Sequence, residues 1–182
     1  MRHENATGLI LAGGKSSRFG NDKAFVIHDG ISLLEHSIRV LKPLVKDVVI
    51  SGVKQKFEFT GLQVIEDETA GLGPAGGIVT CLKKTETELT FVLACDYPFL
   101  KQKVFEELFL FSTAYSVVIA AVGEQWHPLV GIYHNSVNED ISLLMSKGIL
   151  SMHDLVSPMK YHVVQIENKL WLRNVNRPED LG

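Results

Sequence analysis

Leu9-Ile10-Leu11-Ala12-Gly13-Gly14-Lys15-Ser16-Ser17-Arg18-Phe19-Gly20-Asn21-Asp22-Lys23 joins a wholly apolar run to a loop of glycines and hydroxyls that carries Arg18 and closes on Lys23. An apolar run of strand length without polar alternation belongs to a strand buried on both faces, the mark of a parallel sheet covered by helices. Gly13, Gly14 and Gly20 let backbone N–H groups approach and converge on an anion, while Arg18 and Lys23 supply the charge that a polyphosphate requires. This stretch therefore predicts both an α/β architecture and an anion-binding edge, with a nucleotide as the expected ligand.

The same apolar pattern recurs outward along the chain. Thr7 to Ala12, Val48 to Ser51, Leu62 to Ile65, Thr90 to Ala94 and Ser116 to Ala121 read as strands. Between them, Ser32 to Leu41 opens with Ser32 and Glu35 at capping-box spacing, Ala75 to Lys83 follows Pro74, and Val104 to Phe111 repeats its apolar residues at helical intervals. Leu129 to Tyr133 is expected as a further strand, Val137 to Ser146 as a helix, and Tyr161 to Ile166 as a late, antiparallel strand. The alternation predicts a three-layer α/β fold with a mostly parallel central sheet. No repeat or linker interrupts the sequence, so residues 1–182 are expected to form a single domain.

Composition narrows the function. The 182 residues are 46% hydrophobic with a formal charge of −3, and the basic residues are scattered, which argues against a nucleic-acid surface. No segment approaches the apolar length of a membrane span, and the first residues lack the apolar core of a signal peptide, so a soluble cytoplasmic protein with no membrane partner is expected. Cys81 and Cys95, both in apolar contexts, read as reduced core thiols.

In open α/β sheets, ligands sit beyond the carboxyl ends of the strands. Four such ends carry polar candidates: the loop after Ala12, Glu66-Asp67 after Ile65, Asp96 after Cys95, and His127-Pro128 beyond the fifth strand. Within Leu93-Ala94-Cys95-Asp96-Tyr97-Pro98, the proline biases Tyr97 toward an extended backbone and fixes the direction of the aspartate. A carboxylate beside phosphate oxygens needs a divalent cation between them, which makes Asp96 the candidate ligand for Mg²⁺. Capping of the next helix is the alternative role. Asn174 and Asn176 would share a face if their segment is extended, although residue chemistry equally allows a turn before Arg177-Pro178. His127 reads equally as a packing residue and as a site residue. Glu66 and Glu68 read as a solvated acidic turn, and Gly71-Leu72-Gly73-Pro74-Ala75-Gly76-Gly77 as a wall that a flat base or ribose can approach.

Spacing excludes two familiar phosphate loops. A Walker A loop needs glycine where this chain has Leu9, and the dinucleotide fingerprint needs alternating rather than adjacent glycines. What remains, L-A-G-G-x-S-x-R-F-G-x-D-K, resembles the signature loop of the Rossmann-like nucleotidyltransferase superfamily. With the aspartate after the third strand, G-P-A-G-G, C-D-Y-P, His127-Pro128 and N-V-N-R-P-E-D-L, the resemblance runs from Leu9 to Leu181 and is to the molybdenum cofactor guanylyltransferases.

That resemblance implies a three-layer Rossmann-like nucleotidyltransferase fold and transfer of GMP from GTP to Mo-molybdopterin, with pyrophosphate released. It implies that Arg18 and Lys23 grip the triphosphate and that Leu11, Ala12, Gly13 and Asp67 contact the nucleoside. It also implies that Asp96 holds Mg²⁺ and that Asn174 and Asn176 lie on the metal and pterin side. CTP-using relatives commonly read L-A-A-G here, so Gly13 favours the larger guanine. The alternatives are a cytidylyltransferase or sugar-phosphate nucleotidyltransferase, and a nucleotide-binding homologue without turnover. Molybdopterin-delivering or molybdoenzyme chaperone proteins are the expected protein partners.

Overall fold

The continuous apolar runs form strands and the amphipathic ones helices. The computed structural model describes residues 2–13, 22–66 and 71–181. In chain order, they form β1 (His3–Leu11), a ribbon of β2 (Ile27–His28) and β3 (Ile31–Ser32), α1 (Leu33–Leu41), β4 (Val45–Ser51), α2 (Lys54–Phe57) and β5 (Gln63–Ile65). Next come α3 (Gly73–Lys84), β6 (Leu89–Ala94), α4 (Gln102–Phe109), β7 (Val117–Val122), β8 (Gln125–His134), α5 (Asn138–Ser146), α6 (Met152–Val156) and β9 (Tyr161–Gln165). The Ser32 hydroxyl caps α1 by accepting from the Glu35 N–H, as the spacing of the two residues predicts.

Seven strands build one sheet in the order β5-β4-β1-β6-β8-β7-β9. The interior strand β1, with Ala6, Leu9 and Ile10 fully buried, pairs in parallel with β4 and β6. Glycines bring the layers close. A Cβ on Gly8 would lie 3.2 Å from Leu41 of α1, and one on Gly77 of α3 would lie 2.9 Å from Leu11 and 2.5 Å from Ser51 Oγ. Gly8 and Leu11 are an odd number of residues apart on β1, so α1 and α3 cover opposite faces. Helix α4 joins α1, with Gln102 Nε2 donating to Arg39 O over 3.1 Å, and α5 packs against α3.

One expectation fails. The late strand is not antiparallel, because β9 runs parallel to β7. The reversed strand is β8, which lies between β6 and β7 and is antiparallel to both. The reason is local: a two-residue turn at Gly123-Glu124 joins β7 to β8, and so short a link closes only a hairpin. The β7–β8 register jumps from Ile119↔Gly131 to Ala120↔His127. The resulting bulge takes up Pro128, which has no N–H to give a ladder.

Cys81 and Cys95 are buried and unbridged, and burial pushes both thiols up to about 12. They are packing residues rather than nucleophiles. Among the described residues, no helix is long and apolar enough to cross a membrane.

Candidate active site

Parallel pairing brings the carboxyl ends of β4, β1 and β6 to one edge, since Leu11 is in register with both Ser51 and Ala94. The chain continues this alignment past the strands. Ala12 N donates to Ser51 O at 3.1 Å, and Cys95 N to Leu11 O at 3.2 Å. Leu11, Ala12 and Gly13 therefore leave β1 directly beside Asp96. A Cβ on Gly13 would meet only ordinary contacts, 3.7 Å from Ser51 O. The fold does not require glycine at this position.

Three elements far apart in sequence meet at Asp96. Lys23 Nζ lies 3.3 Å from Asp96 Oδ2 and donates to Asn176 Oδ1 at 3.1 Å. Lys23 is presented by a short 3₁₀ turn, Lys23–Phe25, which Asp22 caps through its Oδ1 to Ala24 N at 3.3 Å. Asp22 Oδ2 also accepts from Lys56 Nζ at 2.8 Å, tying this turn to α2. Asn176 is brought in by the C-terminal segment, where Val175 is fully buried and donates its N–H to Asp96 O at 2.8 Å. The structure thus joins Lys23, Asp96 and Asn176 into one cluster. It is Asn176, not Asn174, whose amide oxygen reaches the lysine. Arg18 and Asp67 lie outside the described residues.

Burial holds the Asp96 carboxyl above the ordinary carboxylate range, while Lys23 pulls the other way. Asp96 Oδ2 faces the lysine, and Oδ1 is buried without a hydrogen-bond partner. A buried carboxylate oxygen left unsatisfied is costly unless a ligand completes it. Asp96 does not cap a helix: α4 begins at Gln102, with Lys101 at its cap position. Among the described residues, no group of three or more His, Cys, Asp or Glu could hold a metal alone. A cation here would combine the Asp96 carboxylate with the Asn176 amide oxygen, phosphate oxygens and water, a donor set suited to Mg²⁺.

His127 was open between packing and site; sequence reasoning missed the parts of Tyr97, Arg173 and Asp180. The Tyr97 hydroxyl and His127 Nδ1 are 3.0 Å apart. Both residues are buried, and burial lowers the pKa of His127. His127 thus comes to the same edge as Asp96, in contact with the neighbouring tyrosine. Arg173 stacks over Phe99, its guanidinium carbon 4.7 Å from the ring centre. Asp180, inside the quoted P-E-D-L, binds the backbone of residues 176 and 177. Only the aspartate's position in that motif could have pointed to it.

Known proteins resemble this chain along most of its length. Residues 8–159 match the family model described as MobA-like NTP transferase domain. A Bacillus cereus protein described as a probable molybdenum cofactor guanylyltransferase is 33% identical, over 96% of this chain and 93% of its own. One from Carboxydothermus hydrogenoformans with the same description is 30% identical over 97% and 93%. Among solved structures, the molybdopterin-guanine dinucleotide biosynthesis protein A of Archaeoglobus fulgidus superposes with a TM-score of 0.81 at 23% identity, covering 96% of this chain and 94% of its own. At that identity the likeness is one of fold.

Proposed function

We propose, since the chain belongs to the MobA-like NTP transferase domain family, that it transfers GMP from GTP to the terminal phosphate of Mo-molybdopterin and releases pyrophosphate. The observation that carries this reading is the unsatisfied buried oxygen of Asp96, set beside Lys23 and Asn176 at the ends of the central strands. The descriptions of the relatives supply the nucleotide and the acceptor.

The chemistry needs no covalent enzyme intermediate. A phosphate oxygen of the acceptor attacks the α-phosphorus of GTP, a new P–O bond forms, and the bond to the β-phosphate oxygen breaks in line. Positioning and charge neutralisation do most of the work. Lys23, with Arg18, binds the triphosphate and the departing pyrophosphate. The backbone of Leu11, Ala12 and Gly13, with Asp67, holds the nucleoside. The Asp96 carboxylate and the Asn176 amide oxygen would hold Mg²⁺, which when bound neutralises phosphate charge and orients the reacting oxygens. Tyr97 and His127 fix the turn that carries Asp96, and Asn174 stands on the acceptor side. A protein that delivers molybdopterin or receives the dinucleotide is the partner this activity calls for.

A nucleotide panel tests the proposal. Purified protein is given Mg²⁺, Mo-molybdopterin and GTP, CTP, ATP or UTP, and pyrophosphate and the dinucleotide are quantified. The expected result is equimolar pyrophosphate and guanine dinucleotide from GTP. A preference for CTP, or transfer only to sugar phosphates, would replace this reading with the corresponding alternative.

A further inference from the structure

The amide oxygen of Asn176 accepts from Lys23 at 3.1 Å, yet Asn176 is exposed. Its direction must come from its backbone. On one side, the buried Val175 donates its N–H to Asp96 O. On the other, Asp180 Oδ2 accepts from both Asn176 N, at 2.7 Å, and Arg177 N, at 2.9 Å. Asp180 is itself fastened: its N–H donates to Arg177 O at 3.0 Å, and its carbonyl accepts from Arg173 at 2.6 Å. Arg173 in turn lies on Phe99, in the turn that starts at Asp96. Both ends of this set of contacts thus reach the Asp96–Phe99 stretch.

We propose that Asp180 is a positioning residue of the active site: it clamps the 175–177 turn so that Asn176 presents its amide oxygen beside Asp96. The inference rests on the reading of Asp96 and Asn176 as the cation's ligands. Asp180 binds the backbone of Asn176 and Arg177 and acts on the cation through Asn176. Two backbone N–H groups sharing one carboxylate oxygen pin a turn that a single hydrogen bond from Val175 leaves free to swivel.

The test uses Mn²⁺ as the cation and a non-hydrolysable GTP analogue, with free Mn²⁺ read by electron paramagnetic resonance for wild type, Asp180→Ala, Asp180→Asn and Asn176→Ala. Melting temperatures are recorded alongside. Removing an outer partner of a metal ligand typically weakens metal binding about tenfold or more. Asp180→Ala is expected to weaken nucleotide-dependent Mn²⁺ binding by about that factor, with an unchanged melting temperature, and to lower kcat while leaving KM for GTP near wild type. Asp180→Asn, whose amide oxygen accepts the same two N–H bonds, is expected to restore binding. If Asn176→Ala weakens binding and Asp180→Ala does not, the positioning inference falls alone. If Asp180→Asn is as weak as Asp180→Ala, charge rather than geometry is at work and the inference is again overturned. Absence of nucleotide-dependent Mn²⁺ binding in wild type would bring down the underlying reading as well.

Discussion

Asp96 carries a charge that the fold would rather not bury. Its carboxyl is held above the ordinary value by desolvation, so the native state binds that proton more tightly than the unfolded chain does. Stability from this group is present at low pH and is lost as pH rises through the native value, leaving the charge a net burden at neutral pH. Asp96→Asn is therefore predicted to melt at or above the wild-type temperature while losing about a hundredfold to a thousandfold in turnover, the scale of one charge-stabilising group in a dry site. Melting scans and pyrophosphate release check both halves together. Lys23→Ala is predicted to lose turnover on the same order. Near-normal turnover by either folded variant would contradict the assignment. Asp96 and Lys23 were legible in the sequence because each stands at a strand end or loop end within three residues of a proline or glycine. Asp180 was not, because its function lies in backbone hydrogen bonds that residue type does not announce.

The glycines separate folding from function at the level of the elements. On α3, Gly77 is a packing glycine: a Cβ would lie 2.5 Å from Ser51 Oγ and 2.9 Å from Leu11 Cδ2. Gly77→Ala is predicted to cost about 1–3 kcal/mol, the usual range for overpacking a close layer contact, measurable by urea unfolding. Gly13→Ala meets no such obstacle and is predicted to leave stability unchanged while lowering turnover with GTP relative to CTP. A loss of stability equal to that of Gly77→Ala would refute the ligand-facing reading of Gly13. The buried parallel strands were legible because their hydrophobicity is continuous. The β2–β3 ribbon was not, since each strand has only two residues. Its signal was the Asp29-Gly30 pair, both with positive φ, a sequence suited to a tight hairpin turn. The direction of β9 was also hidden: apolar content says that a strand is buried, not which way it runs.

Across the whole molecule, the buried His127 and the partly buried His3 and His36 oppose acid. Burial lowers the pKa of His3, His36 and His127. The unfolded chain takes up these protons near pH 6.5, whereas the native chain resists them. Stability from these groups is full above that pH and falls as pH drops toward their depressed native values. Asp96 pulls the opposite way, as one group against three. Urea midpoints are predicted to fall between pH 7.5 and 5.5, and a flat profile would contradict this. The cluster gathers Lys23 from the first loop, Asp96 from the end of β6 and Asn176 from the C-terminal segment, and sequence order gives no hint of their distances. The strand-end rule supplied the edge for Asp96, and family resemblance supplied Asn176. The claim beneath all of this is that these three side chains face one metal-bridged triphosphate. Crystals grown with Mn²⁺ and a non-hydrolysable GTP analogue test it directly by anomalous diffraction. A manganese peak at the Asp96 carboxylate is expected, with the triphosphate between the ion and Lys23; nucleotide bound at another edge of the sheet, or manganese away from Asp96, would overturn the assignment.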